Sequence, residues 1–296
     1  MIKIIDKFKQ SISLKSMGCA YGSANPKPIP PSINLFVKTT NKCNARCRFC
    51  SNVHSTSEKI YFNIDKLWEI IDIIIENNIS INRINITGGE PAVVPHVVEH
   101  ILSSASESKY KGIHFHLNTN GLLPSSKCLM RHIRWDSISV SLHHYNLKKL
   151  SEIYDLSIRP ESFIFEGIDL NKVNASCNLI KGYVDSTSEV EQMLKFAIRI
   201  GLPRLGFVSL MKINDFCRAH FIDFDEIKFD IIQHLYFTES RNRGNDCKCS
   251  NYLYNYNNKI LEVYMRNYKN PQYCESSLLY DGQFLRQGFH NDNIIY

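Results

Sequence analysis

The chain has 296 residues, 44% of them hydrophobic and 22% charged, with 35 basic against 29 acidic side chains for a formal charge of +6. This is the composition of a globular chain long enough for a full core, most simply one large domain with an appendage. It excludes a bilayer-spanning helix, since no apolar run approaches the roughly 18–20 residues required, and it offers no basic stripe with interleaved aromatics of the kind that reads nucleic acid.

The opening MIKIIDKFKQSISLKS lacks the continuous apolar core of a signal peptide and reads as a short amphipathic helix. A cytoplasmic location is therefore expected, and ten cysteines there point to metal or redox chemistry, not a disulfide framework. The mild excess of positive charge favours an anionic substrate or an acidic partner. Residues 21–32, YGSANPKPIPPS, form a proline-rich lead-in expected to be extended.

INLFVKT, residues 33–39, is the first strand of the main domain and delivers the run NKCNARCRFC with Cys43, Cys47 and Cys50. Three thiolates on one short loop can hold three irons of a [4Fe–4S] cubane and leave the fourth iron open. The same run could instead supply part of a zinc site. NIDKLWEIIDIIIENN carries Ile64, Leu67, Ile70, Ile71 and Ile74 at helical spacing. INRINIT is the second strand and runs into Thr87-Gly88-Gly89-Glu90-Pro91. The two glycines allow a close backbone approach, and Glu90 can accept hydrogen bonds from an ammonium group.

After a helix through VVPHVVEHILSSA, IHFHLNTNG forms a third strand ending at Asn118-Thr119-Asn120-Gly121, with His114 and His116 sharing one face as structural residues. DSISVSLHH is a fourth strand with Ser141 at its tip and His143 and His144 just beyond, candidates for substrate binding or proton transfer. Tyr145 and Arg204 are comparable candidates. VNASCNLIKGYVDSTSEVEQMLKFAIRIG gives a fifth strand, a turn with Lys181 and an amphipathic helix, and GFVSLMKIND is the sixth strand. Strands alternating with helices argue for βαβ units and a parallel sheet, with polar strand tips where ligands bind in such folds.

Beyond residue 215 the alternation fails, and Cys217, Cys247, Cys249 and Cys274 occur in a tract rich in asparagine and tyrosine. Four thiolates suffice for a second, fully ligated [4Fe–4S] cluster; zinc or no metal are the alternatives. ILEVYMR and LLYDGQFLRQGF suggest a small hairpin here. Cys19, Cys128 and Cys177 have no spacing partners and read as small buried hydrophobes.

The Cys43/Cys47/Cys50 spacing, the Gly88-Gly89-Glu90-Pro91 run and the polar strand ends together resemble the radical S-adenosylmethionine (radical SAM) superfamily, most closely its molybdenum-cofactor GTP cyclase group. The resemblance implies an α/β fold, a partial (β/α)6 TIM-like barrel over 33–215, preceded by residues 1–32 and followed by a small cysteine-rich extension over 216–296 like the twitch or SPASM domains. It implies a [4Fe–4S] cluster whose open iron chelates S-adenosylmethionine (SAM), with Phe49 against the adenine. Thr87, Gly88, Gly89 and Glu90 would hold the methionyl amine, Asn118 and Ser141 would reach the ribose and methionine, and Lys181 would lie near the carboxylate. A one-electron donor such as flavodoxin or ferredoxin would start the reaction, a radical formed from SAM would abstract hydrogen from a small molecule or peptide, and an auxiliary cluster would complete a two-electron oxidation or cross-link. A GTP-cyclase-like rearrangement is the alternative, although that group ends in a Gly-Gly tail and this chain ends in NDNIIY. About 32 residues precede the first strand, too few for a leader-peptide-binding domain, which favours a small polar metabolite. A non-catalytic iron–sulfur or zinc scaffold is the remaining reading.

Overall fold

A computed structural model describes residues 2–13, 32–50, 61–240, 249–267, 277–288 and 294–296. The elements in chain order are β1 (Ile2–Lys3), β2 (Ile12–Ser13), β3 (Ser32–Lys38), α1 (Ile64–Glu76), β4 (Ser80–Thr87), α2 (Pro95–Ser104), β5 (His114–Thr119), α3 (Pro124–Met130), β6 (Ser137–Ser141), α4 (Leu147–Tyr154), β7 (Val173–Leu179), α5 (Thr187–Arg199), β8 (Arg204–Ser209), α6 (Asp215–Ala219), β9 (Leu235–Ser240), β10 (Ser250–Tyr256), β11 (Lys259–Arg266), β12 (Ser277–Tyr280) and β13 (Leu285–Gln287).

β3 to β8 are neighbours in chain order and parallel throughout, the βαβ succession expected of a partial barrel. The helices follow their sequence signals. Asn63 caps α1 by accepting from the Lys66 amide, and Leu67, Ile70, Ile71 and Ile74 form its buried stripe. Ser186 caps α5 in the same way, and Val190, Met193, Leu194 and Ala197 turn inward.

Strand alternation divides the sheet into two faces. Ile33, Leu35, Val37, Ile84, Ile86, Phe115, Leu117, Val140, Ala175 and Phe207 are buried with the helices' apolar stripes in one core. The positions between them share the opposite, concave face, and the register sets them side by side: Asn85 against His116, His116 against Ser137, Asn118 against Ser139, Ser139 against Asn174, and Ser141 against Ser176. The lumen wall thus carries many amides and hydroxyls, with Asn174 donating to Ser139 Oγ at 2.5 Å, beside the cations Lys38 and Arg83 on the same face.

Two expectations are corrected. Residues 2–13 form a hairpin of β1 and β2, not a helix. The spacing of Ile5, Phe8 and Ile12 imitates a helical stripe, but all three are buried and the Lys9 amide is bonded to the Ile295 carbonyl at 2.9 Å, so tertiary contacts set the conformation. The 216–296 segment does not stand apart as a single hairpin. Its strands extend the barrel sheet at both edges, in the order β13-β12-β3-β4-β5-β6-β7-β8-β11-β10-β9. β11 runs parallel to β8 and β12 parallel to β3. Leu261, Val263 and Met265 alternate along β11 and continue the apolar face at a β8 edge that would otherwise lie open. Cys177 is buried on β7 as expected, whereas Cys128 is exposed, because Ser126, Leu129 and Met130 take the inward positions of α3. Cys19 and most of the proline-rich lead-in lie outside the described residues.

Candidate active site

The site is built where β3 and β4 end. From Thr39 onward the chain leaves the sheet as a loop carrying Cys43, Cys47 and Cys50, all half-buried. Thr39 donates from its amide and hydroxyl to the Thr87 carbonyl, at 2.9 and 3.1 Å. The Gly89 amide donates to the Thr40 carbonyl at 2.7 Å and the Glu90 amide to the Lys42 carbonyl at 2.8 Å. This explains the glycines: a Cβ on Gly88 would lie 2.7 Å from the Thr40 oxygen, and one on Gly89 2.1 Å from the Lys42 oxygen. The close approach anticipated for a ligand is made by the cysteine loop's own backbone. The far side of the loop is fixed by the Arg46 amide on the Tyr154 carbonyl at 2.8 Å, and the Tyr154 hydroxyl in turn donates to the Ser141 carbonyl at 2.8 Å.

Glu90 is 1% exposed. One carboxylate oxygen accepts from Thr119 Oγ1 at 2.7 Å and the Ala92 amide at 3.1 Å, the other from the Asn120 amide at 2.7 Å. Burial pushes its pKa up, against the lowering effect of these donors. Asn120 also donates from Nδ2 to Asn44 Oδ1 at 2.7 Å and reaches Cys43 Sγ at 3.9 Å, which ties the carboxylate to the loop. Thr119, Asn120, Asn44 and Tyr154 had no assigned role in the sequence reading. The first two lie within the NTNG strand end and Asn44 directly follows Cys43, whereas Tyr154 carries no local signal.

The donor chemistry fits the implied groups. Burial, then Glu90 and the neighbouring thiol Cys50, push the Cys43 thiol up; burial and the other two thiols do the same for Cys47. Among the described residues no three metal-binding side chains are gathered tightly enough to hold a single ion; a cubane instead takes each cysteine on a separate iron, and its irons would compensate the thiolate charge. Among the described residues no basic side chain is paired with the Glu90 carboxylate, so an ammonium group suits it chemically.

Asn118 and Ser141 stand half-buried on the lumen face of neighbouring strands. Lys181 is exposed at the β7 end, its backbone joined to His220 through the amide (3.0 Å) and the carbonyl (2.8 Å). His143, expected near the mouth, is buried: its ring meets Phe49 edge-on at 4.7 Å, and Nδ1 accepts from the Asn178 amide at 3.0 Å. Burial pushes its pKa down to about 3. His144 is 0% exposed, accepts from the Asn146 amide at 2.9 Å and points Nε2 toward Glu189 on α5 at 3.5 Å. Neutral, enclosed rings of this kind act as packing and hydrogen-bonding struts.

The four C-terminal cysteines fall in different settings. The Cys217 thiol donates to the Phe49 carbonyl at 3.6 Å, beside Cys50, and is 1% exposed. Its neighbours grip the same stretch: Asn214 Nδ2 donates to the Arg48 carbonyl at 3.2 Å, and the Arg48 guanidinium lies 4.6 Å above the Phe216 ring. Cys249 is buried and accepts from the Asn267 amide at 3.3 Å, where Asn267 Oδ1 accepts from Ser209 Oγ at 3.3 Å. Cys247 and Cys274 lie outside the described residues.

Comparison with known proteins agrees with this geometry. A family profile described as the Radical SAM superfamily matches residues 37–215. A GTP 3′,8-cyclase of Alkaliphilus oremlandii (strain OhILAs) is 28% identical over 192 residues, 61% of this chain and 57% of that protein. A GTP 3′,8-cyclase of Aquifex aeolicus (strain VF5) is 25% identical over 212 residues, 65% of this chain and 62% of the relative. The chain therefore spans less than two thirds of the length of these curated relatives. Among solved structures, Streptococcus suis SuiB bound to S-adenosylmethionine shares the fold with a TM-score of 0.50 at 16% identity, over 63% of this chain and 42% of that one.

Proposed function

Because the chain belongs to the radical SAM superfamily, we propose that it is an enzyme that removes a hydrogen atom from a small polar molecule held in the barrel lumen, and that the resulting substrate radical rearranges internally in the manner of a nucleotide cyclase. Cys43, Cys47 and Cys50 would carry the [4Fe–4S] cluster. When bound, cluster and SAM together supply a 5′-deoxyadenosyl radical. Glu90 accepts the methionyl ammonium, Thr119, Asn120 and the Ala92 amide hold that carboxylate in place, and Phe49 offers its ring to the adenine. Asn118 and Ser141 orient the ribose and methionine, Thr87 anchors the loop, and Lys181 is the candidate for the SAM carboxylate. His143 sets the pose of Phe49 by edge contact and takes no proton at neutral pH.

The observation that carries the reading is the buried Glu90 carboxylate, linked through Asn120 and Asn44 to Cys43 without a cationic partner among the described residues. The cyclisation outcome is supported by the relatives named GTP 3′,8-cyclase and by the amide and hydroxyl lining of the lumen, which suits a nucleobase or sugar. A second reading, oxidation by two electrons with an auxiliary cluster on Cys247, Cys249 and Cys274, draws on the burial of Cys249 just before β10. Cys217, engaged beside Cys50, is a poor fourth ligand for such a cluster.

Anaerobic reconstitution with iron and sulfide, followed by SAM, dithionite and GTP, tests this. Formation of 5′-deoxyadenosine with a cyclised nucleotide supports the first reading. 5′-Deoxyadenosine with about eight irons and no nucleotide product moves the second to the front. Its absence from protein with a reduced cluster, with and without GTP, counts against radical chemistry.

A further inference from the structure

The cysteine loop is bordered by exposed cations on three separate segments: Lys42, Arg46 and Arg48 on the loop itself, Lys181 at the end of β7, and Lys212 and Arg218 after β8. Hydrogen bonds and ring contacts join these segments into one surface. Asn214 Nδ2 donates to the Arg48 carbonyl, Arg48 lies over Phe216, and Phe216 stacks on His220 at 4.2 Å. His220 is bonded to the Lys181 backbone, Arg218 donates to the Lys212 carbonyl at 3.3 Å, and Lys212 sits 4.0 Å above the Phe221 ring. Asp215, paired with Arg218, and Asp185, whose carboxylate accepts from the Gly182 amide at 2.7 Å, are the acids on these stretches. The outer face at α1 has the opposite character: a groove there is lined by Asp65, Glu69, Asp72, Glu76 and Glu107, against Lys7 and Lys109.

We propose that this basic rim is the docking surface for an acidic one-electron donor protein. The inference rests on the radical SAM reading, in which the cluster must receive one electron from outside. In the transfer the donor is oxidised by one electron and the cluster reduced by one, with no bond made or broken. Tunnelling requires the donor's redox centre to come close, and the rim includes Arg48, which directly precedes Phe49 and Cys50 in the loop, where the Cys217 thiol donates to the Phe49 carbonyl. Electron-transfer encounters are small and transient, so their rate depends on charge complementarity and steering. The acidic groove repels an acidic protein from the α1 side while the rim attracts it. A small anionic substrate is the lesser fit for the rim, since the lumen face carries cations of its own, Lys38, Arg83 and Arg266, at the strand positions that alternate with the core.

The test is anaerobic stopped-flow reduction of the cluster-loaded, SAM-bound chain by reduced flavodoxin and, separately, by photoreduced deazaflavin, a small reductant without the acidic surface. In Lys212→Glu/Arg218→Glu the flavodoxin rate constant at low ionic strength should fall about tenfold or more. The difference from wild type should shrink as salt is raised. Iron content, deazaflavin reduction and 5′-deoxyadenosine yield should stay unchanged, and Lys212→Gln/Arg218→Gln should fall between. Equal flavodoxin rates in all three proteins would overturn the proposal. So would a variant whose defect appears only as weaker GTP binding, which would assign the rim to substrate. If deazaflavin-reduced wild type forms no 5′-deoxyadenosine, it is the radical reading that fails, and the flavodoxin rates still report on docking.

Discussion

Glu90 shows how one side chain can be costly for the fold and useful for the site. Its burial disfavours the charge, and three donors aimed at its oxygens hold that charge for a cation. Glu90→Gln removes a charge-assisted contact of about 1.5–3 kcal/mol, so SAM affinity by titration calorimetry on cluster-loaded protein should weaken roughly 10- to 100-fold. Cys217 makes the opposite point, since the same residue type that forms clusters here fastens a loop. Cys217→Ser should keep the full iron content of wild type, while Cys217→Val, which loses the donor to the Phe49 carbonyl, should shift the SAM-dependent electron paramagnetic resonance signal. Loss of about four irons in Cys217→Ser would instead make it a cluster ligand. His143 gives a pH signature. Its folded pKa of about 3 lies below the unfolded value near 6.5, so its contribution is fully present above pH 6.5 and is lost as pH falls toward 3. Anaerobic urea titrations should show His143→Phe losing about 1 kcal/mol less than wild type between pH 7.5 and 5.5.

At the scale of elements, the β4 end and the cysteine loop are interlocked through backbone alone. Gly89→Ala puts a methyl into the Lys42 carbonyl, which neither strand end can evade. Iron uptake on reconstitution should drop by more than half, whereas Gly112→Ala, whose added methyl meets nothing within 4 Å, should load like wild type. The barrel strands and helices were legible because Leu67, Ile70, Ile71 and Ile74 on one helix and Ile33, Leu35 and Val37 on one strand report their periods directly. The cysteine loop and the Gly88–Glu90 turn were legible because their chemistry depends on local spacing. The N-terminal hairpin was not, since Ile5, Phe8 and Ile12 satisfy a helical spacing and only the Lys9–Ile295 contact decides against it. Neither was the position of Cys217, whose partner Phe49 lies 168 residues away, nor the burial of His143 and His144, which follow a polar strand tip that reads as exposed.

At the scale of the molecule, the sheet gains the β12–β13 hairpin at one edge and three strands, β11, β10 and β9, at the other, so the barrel and its C-terminal strands share one core. Tyr280 binds the two together: fully buried, it donates to the carbonyls of Asn63 at 2.6 Å, just before α1, and of Gly282 at 2.9 Å. Tyr280→Phe leaves both carbonyls short of a donor and should cost about 1–2 kcal/mol, read as one cooperative shift of the whole unfolding transition and not as early loss of a separate segment. The pairing of β12 with β3 also has a consequence in time. The strand that delivers the cysteine loop is flanked on one side by β4, made soon after it, and on the other by residues 277–280, made far later. Long-range parallel pairings form slowly because the intervening chain must be closed first. Until residues 277–280 have been made, β3 therefore presents a bare edge to its surroundings. The strand that carries the cysteine loop is in that sense flanked on both sides only once a distant segment returns to it.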